Sequence, residues 1–198
     1  MSGKLVIATG NPGKLAEFKV LFEGSGIEIL SLADFPGMPL IEENGGTFLE
    51  NALIKARATG VFTGCAVLAD DSGLEVDALA GLPGIYSARF APSATERNIK
   101  LLKLMEKVSV YRRTARFVCA LALVRPEGFE WTTVGICEGL ITFEPSGSGG
   151  FGYDPLFLYP PLQKTFAEIP LDEKNLISHR GRALQKFKKA VLEDKILT

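Results

Sequence analysis

The chain has 198 residues, 46% of them apolar and 23% charged, with a formal net charge of −1. That length suits one α/β domain with a substantial core, or two small lobes, and the near-neutral balance argues against the broad basic field of a nucleic-acid binder. Three widely spaced cysteines without a C-x-x-C pair, Cys65, Cys119 and Cys137, and a single histidine, His179, argue against a disulfide framework and exclude a His-rich metal site. A metal would then rest on carboxylates and phosphates, which implies a hard ion such as Mg²⁺.

In chain order, residues 4–9 read as a buried strand and 13–22 as a helix, with Leu15, Phe18, Leu21 and Phe22 on one face. Residues 27–30 are a second short strand, and Pro and Gly mark 34–39 as loop. Glu42, Glu43, Asn44, Gly45 and Gly46 form an acidic turn, and Thr47-Phe48-Leu49-Glu50 is a capping box for a helix expected to reach about Ala58. Residues 66–69 are a short buried strand that runs into Asp70-Asp71-Ser72-Gly73. Residues 81–84 are loop, and Ser93-Ala94-Thr95-Glu96 starts another helix with Leu101, Leu102, Leu104 and Met105 on its apolar face. Residues 115–124 and 129–137 predict an antiparallel pair turning through Pro126-Glu127-Gly128, which 140–143 could extend. Residues 146–152 are a glycine-rich loop, and a last helix with a basic exposed side starts near Ser178 and runs toward Leu192. This order predicts a mixed sheet flanked by helices. The apolar runs are too short to span a bilayer, and the run at residues 5–8 is too short for a signal peptide.

Five segments carry candidate chemistry. The strand, glycine turn and helix start across Thr9, Gly10, Asn11, Pro12, Gly13 and Lys14 would aim backbone N–H groups and a helix dipole at an anion. It is not a P-loop, because its glycine spacing differs and Leu15 follows the lysine, so an ordinary turn with Pro12 near the first helical position is the other reading. Adjacent carboxylates at Asp70 and Asp71, after a hydrophobic strand, suit metal binding or base chemistry, or else form a turn that satisfies its own backbone. An extended chain would point the two side chains in different directions. Glu42-Glu43 offers a second acidic ligand or a complement to the helix dipole, and Asn51 and Lys55 share a helix face at i, i+4, a spacing more often solvent-facing than catalytic. The segment from Gly147 to Pro155 combines glycines with Phe151 and Tyr153, which suits a stacked nucleobase or a hairpin with its aromatics in the core. Lys174, His179, Arg180 and Arg182 place cations near a helix start against the dipole, a local inconsistency typical of functional sites, or else form a solvated basic surface. No G-x-S-x-G elbow supports a serine hydrolase.

Six segments in order resemble the inosine triphosphate pyrophosphatase family, also called Ham1-like. They are Thr9–Lys14, Glu50-Asn51-Ala52, Ala69–Leu74, Pro83–Arg89, Gly149–Pro155 and Ser178–Gly181, and together they run through nearly the whole chain. The resemblance implies a single domain over 1–198: an α/β fold with a long mixed sheet, two lobes and an active-site cleft between them. It implies a cytoplasmic homodimer that uses Mg²⁺ to hydrolyse ITP, dITP and XTP to the monophosphate and pyrophosphate, cleansing the nucleotide pool, with no nucleic-acid or membrane partner. On this chain it implies that Thr9, Gly10, Asn11, Pro12, Gly13 and Lys14 hold the triphosphate. Asp71 would be the catalytic carboxylate and a metal contact, with Glu42 the second acidic contact. Ser72 would touch substrate, Phe151, Gly152, Tyr153 and Asp154 would line the base pocket, and Lys174, His179 and Arg180 would contact the nucleotide. The loose Gly45-Gly46 approach to the helix is the local departure from the pattern.

Two other readings are open. A Maf-like pyrophosphatase would act on different bases, and the 151–154 and 178–181 segments favour the purine family over it. A non-catalytic nucleotide sensor would bind without turnover, and the carboxylates argue for an enzyme.

Overall fold

The structure, a computed structural model, describes residues 4–193 and 196–197, without the side chains of Leu21 and Leu192. The place predicted for Leu21 on the first helix therefore lies outside the described residues. The apolar opening run forms β1 (Lys4–Ala8). It pairs in parallel with β2 (Glu28–Ser31) on one side and with β3 (Ala66–Val76) on the other. With neighbours on both sides, Leu5, Val6, Ile7 and Ala8 are all fully buried, which is why the run is continuously apolar and does not alternate. Three further strands, β4 (Thr114–Val124), β5 (Glu130–Ile141) and β6 (Phe157–Tyr159), and the short β7 (Lys164–Thr165) complete a 7-stranded sheet in the order β2-β1-β3-β4-β5-β6-β7. The β5–β6 and β6–β7 pairs are antiparallel, so the sheet is mixed as predicted.

The helices are α1 (Pro12–Phe22), α2 (Phe48–Thr63), α3 (Ala94–Leu104), α4 (Leu171–Ile177) and α5 (His179–Glu193). Their starts follow the caps in the sequence. Asn11 caps α1 with Pro12 in its first turn, Thr47 accepts the Glu50 N–H to cap α2, and Ser93 and Glu96 form a complete capping box on α3. At α2 the box is redirected: the Glu50 carboxylate accepts the Gly46 N–H at 2.6 Å, so it holds the preceding turn. No helix among the described residues is long and apolar enough to cross a membrane.

The chain divides into two compact units. One comprises residues 1–71, 119–134 and 183–198, the other 72–118 and 135–182, so β3, β4 and β5 contribute residues to both. In the first unit Phe18 and Phe22 of α1 and Leu184 and Phe187 of α5 pack with Leu5, Ile7, Leu68, Leu121 and Leu123. Phe22 meets Phe187 edge to face at 5.8 Å between centroids. In the second unit Leu101 of α3 and Met105, which caps its C-terminus, join an aromatic core of Phe117, Phe157 and Phe166. Phe157 lies 4.6 Å from Phe117 and 4.8 Å from Phe166.

Five elements differ from the sequence reading. The helix expected to stop near Ala58 runs on to Thr63, because Thr59 is buried and the left-handed residue that ends it is Gly64. The strand expected to stop at Ala69 continues to Val76, so Asp70-Asp71-Ser72-Gly73 is strand interior and not a turn beyond a strand end. α4 and the short β6 and β7 were not predicted; each is too brief to show a period.

Candidate active site

The first group of polar residues lies wholly in the unit that contains residues 1–71. Asp70 and Asp71 are consecutive on β3 and are 1% and 8% exposed. Carboxylates are rarely this buried unless they are paired, and their partners differ as an extended chain requires. The Asp70 carboxylate holds Lys14 Nζ at 2.7 Å. The Asp71 carboxylate accepts from Asn51 Nδ2 at 3.2 Å. Lys55 Nζ donates to the Asp70 carbonyl at 3.0 Å and pairs with Glu43 at 3.1 Å. Burial raises the Asp71 carboxyl above its ordinary value, Lys55 and Lys14 pull it down, the Glu43 charge pushes it up, and the Asn51 hydrogen bond lowers it.

The acidic turn is fixed and not loose. Asn51 Oδ1 accepts the Gly45 N–H at 2.8 Å. A Cβ on Gly45 would lie 2.7 Å from the Glu50 Cβ and 2.9 Å from Asn51 Oδ1, so only glycine allows the turn to press this closely on α2. Glu42 is exposed and makes no hydrogen bond or ion pair among the described residues, whereas Glu43 is the turn's carboxylate whose charge reaches Asp71.

The opening loop is also more occupied than its sequence suggests. Asn11 Oδ1 takes the N–H groups of Gly13 and Lys14 at 2.9 and 3.3 Å, and Thr9 Oγ1 takes that of Asn11 at 3.1 Å. The donors expected to face an anion are engaged by the helix cap. Pro12 is exposed and Gly10 borders open space, while the Lys14 ammonium reaches β3.

The second group lies wholly in the other unit. Asp154 Oδ2 accepts the Phe151 N–H at 2.8 Å and Lys174 Nζ at 2.6 Å. Burial raises the Asp154 carboxyl, and Lys174 pulls it back. Gly150 has φ 69°, and a Cβ there would lie 2.1 Å from Asp154 Oδ2, so the loop closes on the carboxylate only with glycine at this position. Phe151 is 38% exposed and has two cations near its ring: Lys174 Nζ at 5.0 Å and Arg180 Cζ at 5.7 Å from the centroid. His179 is 5% exposed, its ring stacked on Phe117 at 4.7 Å. Arg180 Nη2 donates to Ser72 Oγ at 3.4 Å. The α4–α5 junction is as tight: a Cβ on Gly181 would lie 1.8 Å from the Asn175 carbonyl oxygen. An open pocket of about 360 Å³ borders this group, lined by Gly149, Gly150, Ala167, Pro170 and Lys174.

Of the residues expected to line a base pocket, Phe151 is the open ring. Tyr153 is buried, and its hydroxyl donates to the Ser87 carbonyl at 3.0 Å, so it anchors the loop to the core. Asp154 is buried in its ion pair. The sequence offers Asp70 beside Asp71, Glu43 beside Glu42 and the Asn51–Lys55 face as candidates without assigning them roles, and it does not mark Phe117, on which His179 stacks. The signal for Asn51 and Lys55 was their shared helix face, which alone does not tell a solvent face from a site.

Cofactor fit follows from the donor set. No group of three or more His, Cys, Asp or Glu among the described residues could hold a metal by itself. Asp71 and the Glu42-Glu43 turn are oxygen donors only, a set that fits a hard divalent ion completed by phosphate oxygens and water.

The Ham1 family model matches residues 5–190. The dITP/XTP pyrophosphatase of Desulforamulus reducens is 53% identical over 186 residues, covering 92% of each chain. That of Thermus thermophilus is 52% identical over 184 residues, covering 92% of this chain and 88% of the other. Among solved structures, a HAM1 protein from Coxiella burnetii superposes with a TM-score of 0.90 at 41% identity, covering 96% of this chain and 99% of that one. The nucleoside-triphosphatase / dITP/XTP pyrophosphatase from Mycobacterium abscessus gives 0.78 at 44% identity, covering 93% and 98%. On sequence and on fold, over nearly its whole length, this chain belongs to the Ham1 family.

Proposed function

We propose that this protein hydrolyses the non-standard purine nucleoside triphosphates ITP, dITP and XTP to the nucleoside monophosphate and pyrophosphate, removing deaminated purines from the nucleotide pool. The observation that carries the reading is the buried cluster around Asp71, in which carboxylates and lysines alternate on β3, α1 and α2. A pure phosphate binder gains nothing from these carboxylates unless it also holds a metal. The names of relatives about half identical over nearly the full chain support the same activity.

The residue roles follow from chemistry. Lys14, with the loop from Thr9 to Gly13, binds the triphosphate and offsets its charge. Asp71 orients or deprotonates the attacking water, and as a ligand of the cation it would act chiefly by holding the metal that acidifies that water. Asp71 and the acidic turn at Glu42-Glu43 hold a divalent cation, for which Mg²⁺ is the fitting ion. When bound, Mg²⁺ supplies charge neutralisation on the phosphates. Phe151 stacks on the purine, Lys174 and Asp154 set the position of that ring, and Ser72 contacts substrate.

His179 or Arg180 helps read the 6-keto edge. Inosine and xanthine carry an acceptor there and adenine a donor, so preset donors reject ATP by up to about 10⁴-fold. GTP shares the keto group and is rejected at its 2-amino group. The family resemblance also implies a homodimer in the cytoplasm, and sedimentation velocity tests the assembly.

The deciding experiment measures pyrophosphate release from ITP, GTP and ATP, with and without Mg²⁺, for the wild type and Asp71→Asn. Mg²⁺-dependent release from ITP that the variant loses is expected. No release from any of the three by folded wild type overturns the reading.

A further inference from the structure

The amide of Asn51 ties the acidic turn to the Asp71 carboxylate. Asn51 is fully buried in the first turns of α2, a helix whose register is set by the Thr47 cap. Its Oδ1 accepts the Gly45 N–H at 2.8 Å and its Nδ2 donates to Asp71 Oδ2 at 3.2 Å. The two bonds demand opposite polarity from one planar group. A carboxylate could accept from Gly45 but would repel Asp71, and an aliphatic side chain could do neither. The surroundings remove slack: a Cβ on Gly45 would lie 2.7 Å from the Glu50 Cβ and 2.9 Å from Asn51 Oδ1, and the Gly46 N–H is taken by Glu50. One turn further along α2, Lys55 reaches Glu43 and the Asp70 carbonyl.

We propose that Asn51 is a positioning residue that fixes the separation of the Asp71 carboxylate and the Glu42-Glu43 turn, and so sets the affinity of that pair for a divalent cation. The inference rests on the functional reading above. Partners that orient a metal-binding carboxylate are worth about 10–100-fold in affinity or turnover when removed. A merely structural Asn51 would change folding stability and leave the properties of the folded molecules untouched.

The test uses Asn51→Leu, close in volume, and Asn51→Ala. Mn²⁺ binding is measured by electron paramagnetic resonance without nucleotide, alongside Mg²⁺-dependent pyrophosphate release from ITP normalised to folded protein. The expected result is Mn²⁺ affinity and kcat each lower by about 10–100-fold, with KM for ITP at saturating Mg²⁺ within about threefold of wild type. Folded variants with wild-type Mn²⁺ affinity and kcat overturn the proposal. Should neither variant fold, wild type decides: the Asn51 side-chain amide resonances must shift when Mg²⁺ is added, and their constancy overturns it. An inactive wild type would instead break the functional reading, whereas an active wild type with indifferent variants breaks only this inference.

Discussion

The two polar groups of this molecule are built on opposite physical plans. Around Asp71 the charges are dense and alternate in sign, and apart from Glu43 in its turn the side chains stand on a strand or helix: Asp70 and Asp71 on β3, Lys14 on α1, Asn51 and Lys55 on α2. Around Phe151 the core is aromatic, the cations lie against rings, and one buried ion pair, Asp154–Lys174, holds a glycine loop in place. On the proposed function, the difference separates rate from base binding. Charge held on ordered elements would act on any triphosphate alike, because it costs no reorganisation when charge develops. A ring on a tethered loop would act on the base, with a stacking energy that all purines share.

That contrast is open to direct tests. Asp71→Asn should lower kcat by about 10²–10⁴-fold on every accepted nucleotide while KM changes little, as steady-state kinetics would read. A variant that mainly raised KM would place Asp71 in binding. Phe151→Ala should raise KM by about 5–150-fold for ITP and dITP, with kcat kept within a few-fold, since a stacked base contributes about 1–3 kcal/mol. A collapse of kcat there would merge the two plans into one. Gly181→Ala should lower Tm by roughly 3–10 °C in calorimetry, because its Cβ would overlap the Asn175 carbonyl, while Mn²⁺ binding at the Asp71 group persists.

The smallest effect concerns stability and pH. Burial raises the Asp71 carboxyl in the folded protein, so the folded chain holds that proton more tightly than the unfolded one. Stability from this group is therefore present at low pH and is lost as pH rises from the ordinary carboxylate value of 3.8 through the raised folded value. Without metal, Asp71→Asn should melt a few degrees above wild type at pH 7, and the gap should close as the pH is lowered toward that ordinary value. A variant that melted lower at pH 7 would mean that the lysines outweigh burial at this carboxylate.

Much of this molecule was legible in its residues. The apolar run at β1, the Asn11, Thr47 and Ser93 caps, the mixed sheet and the family resemblance all follow from local pattern, because helix caps and strand burial depend on neighbours in sequence. The Asp-Asp pair and the Phe151 loop could be marked as sites on residue type alone. Partnership could not. That β3 runs straight through Asp70-Asp71, that Lys14 belongs to Asp70, that Glu43 and not Glu42 is turned to Lys55, and that Tyr153 is a core anchor are all decided by which elements meet. Asn51 shows why. Its helix face was visible at i, i+4, but its two bonds reach 6 residues back and 20 residues on, and a contact across that separation exists only once the chain has folded.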